Sequence, residues 1–277
     1  MNYIVNLSGG LTSFEALRRT IERYGREQTI VLFTDTLIED PDLYRFLDDQ
    51  ERYFNITINR LADGRTPFDV WHDARAIRLK LPNGVEIAPC SKILKRELGD
   101  KWIRDNFELG TYTRVFGMSW DESHRMERLE AELAPVPVWF PLAERPFVDK
   151  CHIADFLESI GISPPLLYKL GFSHNNCGGG CVKGGQAHWA LLWRKFPDRY
   201  AIWEAREARF LAEINPAATI LRDRRGGVTK PLSLTEFRER LERGEGYDRD
   251  EWGGCGCFAP VVQERMDILL LETDVKG

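Results

Sequence analysis

The sequence has no apolar run approaching the roughly 20 residues that a membrane-spanning helix needs. Nor does any early segment join a basic start to an apolar stretch and a small-residue cleavage site. Together these absences predict a cytoplasmic protein with no membrane partner. Charge of one sign is also scarce in excess. The 38 basic and 43 acidic residues leave a net −5, which excludes wholesale coating of nucleic acid. The local group Arg222, Arg224 and Arg225 reads as a solvated loop rather than a binding patch. Internal repeats and low-complexity tracts are missing, and with 43% hydrophobic residues in 277 the chain is not a disordered one. It can bury a sizeable core, as one large domain or a domain with an appendage.

What is present alternates. "YIVNL" (3–7) reads as a short buried strand and "FEALRRTIERYG" (14–25) as an amphipathic helix closed by Gly25. "TIVLFTDT" (29–36) is a second buried strand, rich in β-branched and aromatic residues. Pro41 opens a helix over 40–54, "ITINRL" alternates as a third strand, and "YTRVFGM" (112–118) is a later one. Strands and helices in alternation imply parallel strands with crossover helices, so the fold class is α/β. After about residue 145 helices dominate, over 149–161 and over 186–215 with a break near Pro197. Trp189, Trp193, Phe196 and Trp203 in that region read as core. Two regions follow from this: 1–145, an α/β domain, and 146–277, a helical, cysteine-bearing one.

Between the first strand and helix stands "SGGLTS" (8–13). Glycines let backbone N–H groups approach a phosphate closely, a helix N-terminus adds a positive dipole end, and Ser8, Thr12 and Ser13 add hydroxyl donors. No Gly-Lys-Ser/Thr follows, and Gly-x-Gly-x-x-Gly is absent, so neither the Walker nor the dinucleotide pattern applies.

Five stretches in this order resemble the PP-loop superfamily, in its phosphoadenylylsulfate (PAPS) reductase-like branch. They are the Ser8-Gly9-Gly10 loop, "VLFTDTLIEDPDLYRF" (31–46), "APCSKILK" (88–95), "VFGMSWDESHRMERL" (115–129) and the run from Phe140 to Cys181. The resemblance covers roughly residues 3–181. It implies a Rossmann-like (HUP-type) parallel sheet flanked by helices. It also implies a site for ATP or a related adenine nucleotide, with Mg²⁺, made by Ser8, Gly9, Gly10, Thr12, Ser13, Thr34, Asp35, Thr36, Gly117 and Arg125. Thr12 stands where ATP-cleaving members usually carry Asp, Pro89 replaces the first cysteine of a pair, and no Glu-Cys-Gly-Leu-His tail is present.

In a cytoplasmic protein six cysteines point to metal or redox chemistry rather than disulfides. The resemblance implies that Cys90, Cys177 and Cys181 are iron–sulfur ligands, completed to a [4Fe–4S] site by Cys257 or Cys255. The alternative is a structural Zn²⁺ site, because Cys177/Cys181 and Cys255/Cys257 partly match paired zinc ligands. Cys151, inside a helix, reads as a structural thiol, and His174 and His188 as core or surface histidines that could join a metal.

The function expected is ATP-dependent adenylation with pyrophosphate release, coupled to cluster-assisted sulfur transfer or base modification. That implies a nucleobase or nucleic-acid acceptor and a sulfur donor, and allows a homodimer. One alternative is a PAPS or adenylylsulfate reductase. The other is a non-catalytic nucleotide-binding subunit of a nucleic-acid-modifying complex, which Thr12 favours.

Overall fold

The computed structural model describes residues 1–80 and 86–253, and these divide into two compact units. The first is built from Met1–Asp63 and Leu94–Leu166, the second from Gly64–Ile93 and the chain from Leu167 onward. The division differs from the single boundary at 145 drawn from the sequence, because each unit takes two chain segments.

The first unit holds β1 (Asn2–Leu7), α1 (Leu11–Tyr24), β2 (Thr29–Asp35), α2 (Pro41–Phe54), β3 (Ile58–Ala62), α3 (Leu98–Asn106), β4 (Tyr112–Val115), α4 (Ser123–Leu133), β5 (Val138–Trp139) and α5 (Lys150–Ser159). The five strands form one parallel sheet in the order β3-β2-β1-β4-β5. The fold is therefore α/β and Rossmann-like, as expected. Succession runs outward from β1 through β2 to β3, then returns to the other side of β1 with β4. The switch point lies between β1 and β4, and in open α/β sheets ligands sit outside the strands' carboxyl ends at such a point.

Two faces of the sheet are covered differently. Phe14 of α1 packs against Phe46 and Phe54 of α2 and Phe156 of α5, at centroid distances of 5.9, 5.6 and 6.3 Å. On the other face Ile4, Leu32, Ile103 and Tyr112 form a buried cluster with α3. Each fully buried side chain of this size contributes roughly 1.5–3 kcal/mol. α2 begins on Asp40, whose carboxylate accepts from the Asp42 N–H, with Pro41 at its first position.

The second unit is mainly helical: Pro67–Ala74, Gln186–Lys195, Pro197–Glu213 and Leu234–Glu242, with two small antiparallel strand pairs. Pro197 starts a new helix rather than kinking the old one. Trp71, Trp189 and Trp203 make its core, with Trp203 at 5.5 Å from Trp71 and 5.4 Å from Trp189. Arg222 donates to the Thr219 carbonyl, Arg224 pairs with Glu251, and Arg225 pairs with Asp223 at 2.9 Å. Those arginines are thus held by local partners. No helix among the described residues is long and apolar enough to cross a membrane.

Candidate functional site

β1 ends at Leu7 and the chain turns through Ser8, Gly9 and Gly10 into α1. Gly9 carries the conformational demand, at φ +75°. A Cβ there would also lie 2.8 Å from the Leu43 side chain of α2. Gly10, the residue before α1, is ordinary extended backbone at φ −100°. Ser13 ties the turn together: its hydroxyl donates to the Gly10 carbonyl at 2.8 Å and accepts from the Ser8 N–H at 3.2 Å. The Ser8 hydroxyl lies 3.1 Å from the same oxygen. Ser8 is exposed, Ser13 is buried, and Thr12 lies between these extremes. A 14-residue helix thus points its N-terminus and a glycine turn at the switch point, and its first turn carries no acidic residue. That arrangement favours an anion.

Gly117, two residues past β4, completes the switch point. A Cβ on it would fall 2.5 Å from the Thr12 carbonyl oxygen and 2.8 Å from Ser13 Cα. The loops after β1 and β4 therefore touch backbone to backbone. Beneath them Arg114 of β4 is buried, donates to Asn6 Oδ1 at 2.6 Å, and pairs with Asp100 of α3.

At the end of β2, Asp35 accepts from the Leu37 N–H at 2.7 Å and from the Tyr44 hydroxyl at 2.9 Å. Burial first, and then this bond, raise the Tyr44 phenol above its ordinary pKa. The Thr36 hydroxyl donates to buried Glu39 at 2.9 Å, and Lys95 Nζ lies 3.2 Å from the same carboxylate oxygen. Thr34 turns its methyl toward α3, 3.7 Å from where a Gly99 Cβ would stand. Replacing Asp35 by alanine is expected to cost about 1–2 kcal/mol of stability from the lost bonds, and several-fold in affinity for the adenine nucleotide expected from the sequence. Thermal melts and calorimetry read the two separately, and a purely thermal defect would remove Asp35 from the site.

Arg125 stands in the first turn of α4 and pairs with Glu122, whose carboxylate also takes the Ser119 N–H at 3.1 Å. The side chain expected to face an anion thus has a carboxylate beside it.

Cys90, Cys177 and Cys181 all fall in the second unit. Among the described residues no group of three or more His, Cys, Asp and Glu side chains could hold a metal. The three thiols expected to bind a cluster do not assemble a donor set there, and Cys255 and Cys257 lie outside the described residues. For Mg²⁺ the first turn of α1 offers no carboxylate, and Asp35 already accepts from Tyr44 and Leu37. The described residues by themselves supply a donor set for neither group. His188 is fully buried, with Nε2 2.7 Å from the Gly179 carbonyl and its ring stacked on His174 at 4.9 Å. It is a core histidine.

Sequence reasoning missed Leu43, Tyr44, Glu39, Lys95 and the Asn6–Arg114 pair. Asn6 had a signal, a polar residue inside an apolar strand. The others are recognisable only once the folded chain brings their partners together.

No protein-family model matches the chain, and no curated protein matches it. Among solved structures it is similar to phosphoadenylyl-sulfate (PAPS) reductase from Candida auris, solved as a phosphate complex. The identity is 15%, over 62% of this chain and 79% of that one, with a TM-score of 0.43. The fold class itself stands on the strand order and crossovers described above.

Proposed function

We propose that this protein binds an adenine nucleotide at the carboxyl ends of β1, β2 and β4 and activates an acceptor by adenylation. The observation that carries the reading is the contact of Gly117 with the Thr12–Ser13 backbone at the switch point, beside a serine-tied glycine turn. The pyrophosphate lies on the turn, where Ser8, Ser13 and the first N–H groups of α1 take the developing negative charge. The adenosine lies by Thr34, Asp35 and Thr36. In the reaction an acceptor oxygen, such as a carbonyl oxygen of a nucleobase, attacks the α-phosphorus. The bond from that phosphorus to the bridging oxygen breaks, and pyrophosphate leaves with the electron pair. A sulfur or nitrogen nucleophile then displaces AMP from the activated carbon.

A second reading, a binding subunit without turnover, is favoured by the α1 first turn, where Thr12 stands and no carboxylate is present. Calorimetry with ATP, with and without Mg²⁺, and a pyrophosphate-release assay separate the two. Binding with release supports the enzyme, and binding without release supports the subunit. No ATP binding by the folded protein overturns both. Ser13→Ala removes the hydroxyl that joins Gly10 to Ser8 and is expected to weaken ATP about ten-fold, the loss of one charge-assisted bond and its support.

A further inference from the structure

Trp120 and Phe147 are large aromatic side chains left half in water, at 54% and 44% exposure. They are not scattered. Their ring centroids lie 5.5 Å apart at 37°, and the Arg145 guanidinium sits over the Phe147 ring at 5.0 Å. Arg145 has no ion pair of its own among the described residues. Trp120 is three residues past Gly117, within about 11 Å of it by chain reach, and Gly117 touches the Thr12–Ser13 backbone. The pair therefore stands on the same rim as the glycine turn.

From this pair a surface continues along α1. Arg145 also lines an open cleft of about 480 Å³ with Arg18, Arg19, Arg23, Trp139 and Glu144. The cleft is built rather than accidental. Arg19 donates to the carbonyls of Pro141, Glu144 and Pro146, at 2.9, 3.1 and 2.6 Å, and so holds the segment after β5 against α1. Its carboxylates are answered: buried Glu15 by Arg18 and Arg19, Glu22 by Arg18, and Glu144 by Arg23 at 2.9 Å. Arg145 is left as the surplus cation, and Arg23 lies 5.1 Å over the Trp139 ring.

We infer that this surface takes a single-stranded nucleic acid, one base stacking on Trp120 and Phe147 and the flanking phosphodiester passing Arg145 toward the cleft. Two exposed rings with interleaved guanidinium groups are what unpaired bases and their backbone need, since every base has a π-face and each phosphate a charge. A duplex keeps its bases stacked on one another and cannot use the platform. The purpose assigned to it, holding the acceptor base of the adenylation, rests on the function proposed above. The binding itself does not.

The test is fluorescence anisotropy of the full-length protein with a labelled 12-nucleotide oligo(dT), its duplex with oligo(dA), and a salt series, alongside ATP calorimetry on each variant. The single strand is expected to bind more tightly than the duplex. Trp120→Ala with Phe147→Ala is expected to lose roughly ten-fold or more, the usual effect of removing a stacking partner, while Trp120→Phe keeps most of the affinity. Arg145→Ala is expected to flatten the salt dependence by about 0.7 in slope, one phosphate on a single strand. ATP affinity is expected to stay unchanged in all of them. Equal binding of duplex and single strand, or an unaffected double variant, overturns the platform. Loss of ATP affinity in the Trp120 variants also overturns it, because the ring would then be stacking the nucleotide. If ATP fails to bind the wild type but oligo(dT) binding falls as stated, the platform stands and the adenylation reading fails.

Discussion

Gly117→Ala is expected to abolish nucleotide binding, by at least about a hundred-fold in Kd, while leaving a folded protein. The atoms a new methyl would meet are the Thr12 carbonyl oxygen at 2.5 Å, the Thr12 carbonyl carbon at 2.7 Å and Ser13 Cα at 2.8 Å. All three are backbone, so no side chain can swing away. Ordinary carbon contacts lie near 3.5–4.0 Å. The loop after β4 must therefore move off the first turn of α1 by about 1 Å, a displacement that misaligns a binding constellation. Overpacking of this kind costs about 1–3 kcal/mol in stability. Gly110→Ala is the control, since Gly110 at φ +88° has nothing within 4 Å of a new Cβ. It incurs only backbone strain of about 1 kcal/mol, with ATP affinity intact. Calorimetry on both, with circular dichroism to confirm folding, decides. A folded Gly117→Ala protein with normal ATP affinity would sink the site assignment.

That contact was only half legible in the sequence. The β1 turn could be read because an apolar run, two glycines and an amphipathic run follow one another directly. Which glycine bears the load could not be, because φ belongs to the folded chain: it is Gly9, at +75°, and not Gly10. Arg125 was legible as a cation near a strand end. Its pairing with Glu122 is a local i, i+3 contact, about which the motif resemblance that named Arg125 says nothing. The domain division was hidden for a different reason. Phe68 and Trp71 give the helix Pro67–Ala74 an apolar face. Yet their partners, Trp203 at 4.8 and 5.5 Å and Phe210 at 6.4 Å from Trp71, stand well over a hundred residues downstream. Periodicity announces a face that needs covering and is silent about what covers it.

Two buried groups in the second unit are expected to give opposite and nearly cancelling pH dependence, visible only when one is removed. Glu207 is pushed up to about 7 by burial, against the pull of the Ile220 and Leu234 N–H groups, which it accepts at 2.6 and 2.5 Å, and of nearby Arg222. His188 is pushed down to about 4 by burial, with only its bond to Gly179 opposing. For Glu207 the folded pKa is above the unfolded one. The folded state holds the extra proton, so the contribution is full below about pH 4.5 and is lost as pH rises through 7. For His188 the folded pKa is below the unfolded one. Its contribution is full above about pH 6.5 and is lost as pH falls through 4. Each shift amounts to about 3 kcal/mol at 1.36 kcal/mol per pKa unit. Between about pH 4.5 and 6.5 the two slopes oppose, so these groups leave the wild type nearly flat. Glu207→Gln is expected to gain stability as pH rises across that window, by about 1 kcal/mol per pH unit. His188→Gln, whose amide can still donate to Gly179, is expected to lose stability at the same rate. Urea denaturation at pH 4.5, 5.5 and 6.5 measures both slopes, and His188→Asn serves if the glutamine variant does not fold. Parallel slopes in the two variants would mean that at least one of these side chains takes its ordinary charge in the folded core.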